Sequence, residues 1–235
     1  MEFPKLSSPT LKDLFIREIE NMILSGKLAV GSKLPTEREL EKSMQVSRAV
    51  INAGLSEMAE KGFIEIRPRV GAYVADYRRK GTLQTLLSIM SYNGGTLRKD
   101  ELKSLLEIRL VLETLALDLA VQRISTEELA VLKSLADEFG LSSDPAVSAR
   151  IIFDFHHELC AISGNTLLPL IFYSFREPVL RLWERYFRLH GVETLYRNTM
   201  ELYARIADRD AKSAVSVLSD SLEKTITGGV SIYYE

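Results

Sequence analysis

One helical stretch of this 235-residue chain opens on Ser47-Arg48-Ala49 and continues on the same face with Asn52 and Ser56. These are short polar groups and one guanidinium, residue types that enter a major groove and meet base edges. Further on, Arg67 and Arg69 flank Pro68 beside Gly71, where a bare backbone can approach phosphates or a minor groove. A second set lies in the later half. Arg109 sits within Leu105-Leu106-Glu107-Ile108-Arg109-Leu110-Val111-Leu112, and a guanidinium among apolar neighbours is costly unless paired. Glu113, one turn on, offers the pairing; a bound carboxylate or phosphate would accept the same fork. His156 reads either as a helix histidine satisfied by nearby hydroxyls or as a donor to a small molecule. Val179, Trp183 and Tyr186 share a helical face that suits core packing and, equally, a long apolar ligand with an anionic head. No Ser-His-Asp arrangement, phosphate loop or metal-hydrolase motif is present, and Glu107 and Glu113, six residues apart, do not make a shared catalytic face. The residues predict a binding protein rather than an enzyme.

The elements that must hold the first set are legible. Pro35 separates what precedes it from a helix capped by Thr36, with Glu39 closing a capping box. That helix runs from Glu37 to Met44 around the inward anchor Leu40. Gln45-Val46 turns, and Ser47 caps a second helix whose apolar stripe is Ile51, Leu55, Met58 and Ala59. Gly54 lies inside this helix, where glycine costs about 1 kcal/mol relative to alanine, so close packing against a neighbouring helix is expected. Gly62 ends the helix, Phe63 to Arg67 alternates like a strand, 68–71 turns, and Ala72 to Val74 returns. A leading helix carries Leu11, Phe15, Ile19 and Ile23 and stops at Gly26. This order is that of a winged helix-turn-helix with a small β wing, and its expected partner is duplex DNA.

Residues 77–81, Tyr-Arg-Arg-Lys-Gly, read as a linker between a DNA-binding domain over 1–76 and a helical domain over 82–235 that binds an effector and dimerises. From Thr82 onward no strand pattern occurs. Helices are expected over 82–91, 99–122, 126–138, 145–163, 167–189, 194–208 and 211–226, with Thr126, Asp144, Asn165 and Asp210 as starting caps and Pro178 kinking or starting a helix locally. The fold class is therefore mainly α, with a C-terminal antiparallel bundle of about seven helices. The tail from Gly228, ending Ile232-Tyr233-Tyr234, is expected to dock on a neighbour or fray.

Composition sets the bounds. The net charge of −2 divides unevenly: residues 1–80 carry 14 Lys+Arg against 11 Asp+Glu, and residues 81–235 carry 16 against 21. The basic balance lies with the winged helix, as binding by counterion release requires. No apolar run approaches the ~20 residues of a membrane span, so no membrane partner is expected. One cysteine, Cys160, and no signal-peptide pattern point to the cytoplasm.

The N-terminal part resembles the GntR family of bacterial transcription regulators. The matching residues are Gly26-x4-Gly31-Ser32-x-Leu34-Pro35-Thr36-Glu37-Arg38-Glu39-Leu40, Val46-Ser47-Arg48, Leu55, Gly62 and Gly71-x-x-Val74. The resemblance implies DNA contacts at Arg38, Ser47, Arg48 and Gly71. Asn52 stands where the family usually has a base-reading arginine, so operator preference departs from the family's. The second part is similar to the effector domain of the FadR branch, through Leu106-Glu107-Ile108-Arg109-x3-Glu113, Phe155-His156-x6-Ser163-Gly164-Asn165 and Ile206-x3-Asp210-x3-Ala214. Many relatives hold a divalent metal there with one aspartate and three histidines. Here the matching positions are Ile152, His156, Thr199 and Ser221, so no metal and no other cofactor is expected. His156, Thr199 and Ser221 join Arg109, Trp183 and Tyr186 as candidate effector contacts. Asp154 and His157 offer at most an accidental weak pair. The expected protein is a homodimer on a palindromic operator, controlled by an anionic metabolite. Without a metal to anchor small acids, an amphipathic acid such as a long-chain acyl-CoA is favoured. An effector-independent architectural DNA protein is the competing reading.

Overall fold

The computed structural model describes residues 9–92 and 96–227. The turn expected at Asn93-Gly94-Gly95 and the tail from Gly228 lie outside the described residues. The contacts divide the chain into two units, 1–92 and 93–235.

In the first unit, α1 (Leu11–Leu24), α2 (Glu37–Met44) and α3 (Arg48–Glu60) precede β1 (Ile64–Arg67) and β2 (Gly71–Val74). The starts follow the capping chemistry. Thr10 with Asp13 and Thr36 with Glu39 form reciprocal capping boxes, and the Ser47 hydroxyl accepts from the Val50 amide. Gln45 ends α2 in the left-handed region (φ 54°), which turns the chain into α3. β1 and β2 pair antiparallel from Ile64↔Val74 to Arg67↔Gly71, and Lys33 bridges to Tyr73 on the outer side. Phe15, Ile19, Leu40, Ile51, Met58, Phe63 and Val74 are among the side chains that form one core. Ile66 departs from the strand alternation and is 47% exposed on the wing. Gly54 is where α3 meets α1: a Cβ there would run into the Phe15 ring.

The expected boundary at 77–81 moves. Those residues form a helical turn, α4 (Tyr77–Lys80), and Tyr77 is buried against Phe63. α5 (Leu83–Ser91), expected to open the helical domain, belongs to the winged-helix unit. Thr85 donates to the Lys61 carbonyl that α3 leaves open at its C-terminus, Ser88 donates to Glu20 at 3.3 Å, and Ile89 and Tyr92 pack on the N-terminal core. Free helix-end carbonyls and an uncovered apolar edge decided what α5 packs on; its own periodicity did not specify it.

The second unit holds α6 (Lys99–Arg123), α7 (Thr126–Leu141), α8 (Pro145–Ile162), α9 (Leu168–Ser174), α10 (Arg176–His190), α11 (Glu193–Ala207) and α12 (Ala211–Ile226). α6 packs on α8 and α12, α8 on α7 and α10, and α11 on α7 and α12. Seven helices are present among the described residues, although not the expected seven. α5 has left the set, and the helix expected over 167–189 is two, broken at Phe175. Pro178 is the cause. It has no N–H for the Ser174 carbonyl, and its ring would strike that carbonyl in a continuous helix. In the first turn of α10 neither penalty applies. The cap of α7 is Ser125, one residue before the expected Thr126, and Glu128 closes its box.

Candidate functional site

Two surfaces merit description, one on each unit. On the first, Ser47, Arg48, Ala49 and Asn52 are all exposed on α3, opposite the buried Ile51, Leu55 and Met58, and Arg38 is exposed on α2. Arg48 and Asn52 are not independent. Arg48 Nε donates to Glu37 Oε2 at 2.8 Å, and Asn52, with its amide nitrogen turned to the same carboxylate, lies 3.0 and 3.2 Å from Glu37 Oε1 and Oε2. Sequence reasoning missed this role for Glu37. It lies eleven residues before Arg48, a separation no helix periodicity relates; only the turn between α2 and α3 brings the two together.

On the wing, Arg67 pairs with Glu65 (3.2 Å) and lies over the Tyr73 ring, 4.2 Å from its centroid. The Arg67 hydrogen bond and charge hold the Glu65 carboxyl below its ordinary range. Arg69 occupies the tip with φ 64°, and Gly71 has φ 129°, a conformation that favours glycine. The Lys33 side chain lies close by, on the space a Gly71 side chain would need. Lys33, also missed in the sequence, thus adds a third cation to Arg67 and Arg69.

The second surface is a cavity of about 170 Å³, and Arg109, His156, Trp183, Tyr186, Thr199 and Ser221 all line it. α6 supplies Arg109 and Glu113 from within its buried stripe of Leu102, Leu105, Leu106, Ala116 and Leu117. Both charged side chains are 2% exposed. Arg109 Nε donates to Glu113 Oε1 at 2.7 Å. The other oxygen, Oε2, has no well-aligned hydrogen bond among the described residues, but His156 Nδ1 from α8 stands 2.8 Å from it. Burial pushes the Glu113 carboxyl up. The Arg109 charge and then His156 outweigh that and bring it down to about 2. Trp183 from α10 closes the arrangement: the Arg109 guanidinium lies 4.5 Å from its ring centroid, and the His156 ring stacks on it at 5.4 Å. The Arg109 Nη groups have no hydrogen-bond partner among the described residues. A buried, preformed fork facing a cavity has the geometry to donate to a carboxylate or phosphate.

The side chains here do not fit a divalent metal. Ile152 is fully buried and apolar, and Thr199 Oγ1 donates to the Leu195 carbonyl at 2.8 Å. Ser221 Oγ accepts from Asn198 Nδ2 at 3.3 Å, and His156 commits Nδ1 to Glu113. Among the described residues no cluster of His, Cys, Asp or Glu has a ligating arrangement. The cavity volume also bears on the ligand. About 150 Å³ accommodates benzene in an engineered protein cavity, and drug-sized ligands take about 300–1,000 Å³. The space between the described side chains is nearer the smaller of these figures.

Comparison with known proteins agrees with the two-unit division. Residues 15–74 match the model of bacterial regulatory proteins of the gntR family, and residues 104–224 match the FCD domain. The chain is 26% identical over 219 residues to the HTH-type transcriptional regulator LutR of Bacillus subtilis, covering 88% of this chain and 97% of that one. It is 25% identical over 227 residues to the HTH-type transcriptional repressor NanR of Klebsiella aerogenes, covering 93% and 85%. Among solved structures, Lar, described as controlling the expression of the Listeria monocytogenes agr system, shares the fold with a TM-score of 0.63 at 14% identity, over 94% of this chain and 97% of that one.

Proposed function

Because the chain belongs to the gntR family of bacterial regulatory proteins, with an FCD domain following its winged helix, we propose that it is an operator-binding homodimer switched by a short organic anion that docks on Arg109 without a metal. That it is a DNA-binding transcription regulator with an effector-binding domain follows from the family; the dimer, the palindromic operator, the effector class and the contacts are the reading offered here. The observation that carries it is the buried Arg109 fork, whose terminal nitrogens have no hydrogen-bond partner among the described residues, on the wall of a cavity sized for a small molecule. Hydroxyls and amides of Thr199, Ser221 and Asn198 supply further hydrogen bonds, and Trp183 and Tyr186 an apolar wall.

A second copy is supported by a separate feature. Ile108, Val111 and Leu115 are 43–66% exposed at helical spacing along α6, and Leu167, Leu170 and Ile171 are exposed at adjoining α9. An apolar face of that extent is characteristic of an association surface. On the first unit, Arg38, Ser47, Arg48, Ala49 and Asn52 are assigned to the major groove, and Arg67, Arg69 and Gly71 to phosphates or the minor groove. No described helix is long and apolar enough to cross a membrane, in keeping with work on DNA in the cytoplasm.

The test is calorimetry with short organic acids and with acyl-CoAs, in chelator, on wild type and on Arg109→Lys, which keeps the charge facing Glu113 while removing the fork. Short acids should bind in chelator, and Arg109→Lys should weaken them at least tenfold. Tight acyl-CoA binding that is indifferent to Arg109→Lys would overturn the assignment.

A further inference from the structure

Glu37 reaches from α2 to both polar side chains that α3 presents for base reading. Its carboxylate lies 2.8 Å from Arg48 Nε and, with the Asn52 amide assigned the orientation in which it can donate, 3.0 and 3.2 Å from that amide nitrogen. Stability does not explain the arrangement. The Arg48 and Glu37 side chains are 73% and 39% exposed, and exposed ion pairs contribute little. A carboxylate on this face also opposes DNA, because it repels phosphates and removes one positive charge from the counterion account. What the contacts do accomplish is orientation. With Nε held, Arg48 keeps its two terminal nitrogens free as a fork, the group that meets guanine O6 and N7. With one amide hydrogen held, Asn52 keeps its other hydrogen and Oδ1, the pair that meets adenine N7 and N6. The carboxylate also fixes which end of the amide faces which way, and a flipped amide would present its donor to the adenine donor.

We propose that Glu37 is a positioning residue that joins Arg48 and Asn52 into one reading unit, with Asn52 selecting an A·T pair and Arg48 a G·C pair close to it in each half-site. The proposal rests on the reading of the chain as an operator-binding regulator and adds the identity of the bases and the residue that enforces them. By holding Arg48 in the groove, Glu37 also withholds it from phosphates, so affinity is exchanged for discrimination.

The experiment is selection of duplexes from a randomised pool by the full-length protein, followed by competition between matched and singly mismatched sites across a salt series. Wild type should select both pairs. Asn52→Ala should abolish preference at one of them, lowering discrimination there about 5- to 150-fold, the worth of one bidentate contact. Asn52→Arg should convert that A·T preference to G·C. Glu37→Ala should lower discrimination at both positions while raising affinity for random duplex at low salt. Glu37→Gln should raise random affinity similarly yet retain part of the discrimination, since it keeps one acceptor. A purely structural Glu37 would move the melting temperature and leave base preference alone. Unchanged preference at both positions in Glu37→Ala, or at the A·T pair in Asn52→Ala, overturns the proposal. A wild type that selects no sequence at all overturns the operator-binding reading and this proposal with it, whereas selection by wild type without response to the variants overturns the proposal alone.

Discussion

Replacing Glu113 by glutamine tests the charge arrangement in the cavity wall most directly. Glu113 is 2% exposed, hydrogen-bonded to Arg109 at 2.7 Å and 2.8 Å from His156. Its carboxyl is held near 2 against an ordinary value of 4.5. That difference corresponds to about 3 kcal/mol of stability through proton linkage, within the ~3–5 kcal/mol seen when one partner of a buried pair is removed. The sign follows from the depressed pKa. The contribution is complete above the unfolded value of 4.5 and is lost as the pH falls from there through about 2. Glu113→Gln should thus destabilise the helical unit by about 3 kcal/mol at pH 7, a shift of roughly 1–2 M in the urea midpoint. Near pH 2 wild type has itself lost most of this contribution, and the gap should narrow. The assay is simple because Trp183, the only tryptophan in the chain, lies in the cavity wall, so its fluorescence follows this unit alone. A gap below about 1 kcal/mol at pH 7, or one that does not narrow in acid, would refute the reasoning.

Gly54→Ala carries a sign prediction: helix propensity alone would stabilise α3 by about 1 kcal/mol, but the added methyl meets the Phe15 ring, so calorimetry should show the winged-helix transition lowered by several degrees. Arg48→Ala should weaken operator binding by about 1–3 kcal/mol in a gel-shift titration; unchanged binding would remove α3 from the interface. Cys160 is buried, with its thiol pushed up to about 12 by burial and then by the Glu113 charge, so native protein should resist thiol reagents at pH 8 and react fully only in denaturant. Elemental analysis after dialysis should find no stoichiometric zinc, nickel or manganese; about one per chain would contradict the donor set at Ile152, His156, Thr199 and Ser221.

Local chemistry was what made the sequence readable. Thr36, Glu39 and Ser47 marked the ends of α2 and α3 because caps act within one turn, and the glycine at 54 announced a close approach that the Phe15 ring supplies. The six candidate residues line one space; Arg109, Trp183 and Tyr186 were legible from their own helices, whereas His156, Thr199 and Ser221 came from positions that the family resemblance marks. Long-range pairing was not readable in the same way. Nothing in the spacing of Glu37 related it to Arg48 and Asn52, and nothing in α5 announced that Lys61 and the N-terminal core would claim it. Phe175 became a break through the ring of Pro178, whose local effect was foreseen although its exact consequence, two helices in place of one, was not. Cavity volume is a property of packing, so the size of the space beside Arg109 could only come from the structure.

The missing Cβ at Gly54 has a consequence for how such a molecule can be controlled. α3 seats so closely on Phe15 that a Cβ at position 54 would have no room, and α5 ties its C-terminal carbonyl from the other end. The reading surface behaves as a stamp of fixed relief. In the proposed homodimer, a signal arriving from elsewhere would leave that relief as it is and change where two stamps land relative to each other. On a palindromic site the landing points of that homodimer would fall about one helical repeat apart, so control of this kind would act through phase along the duplex, not through the shape of either recognition helix.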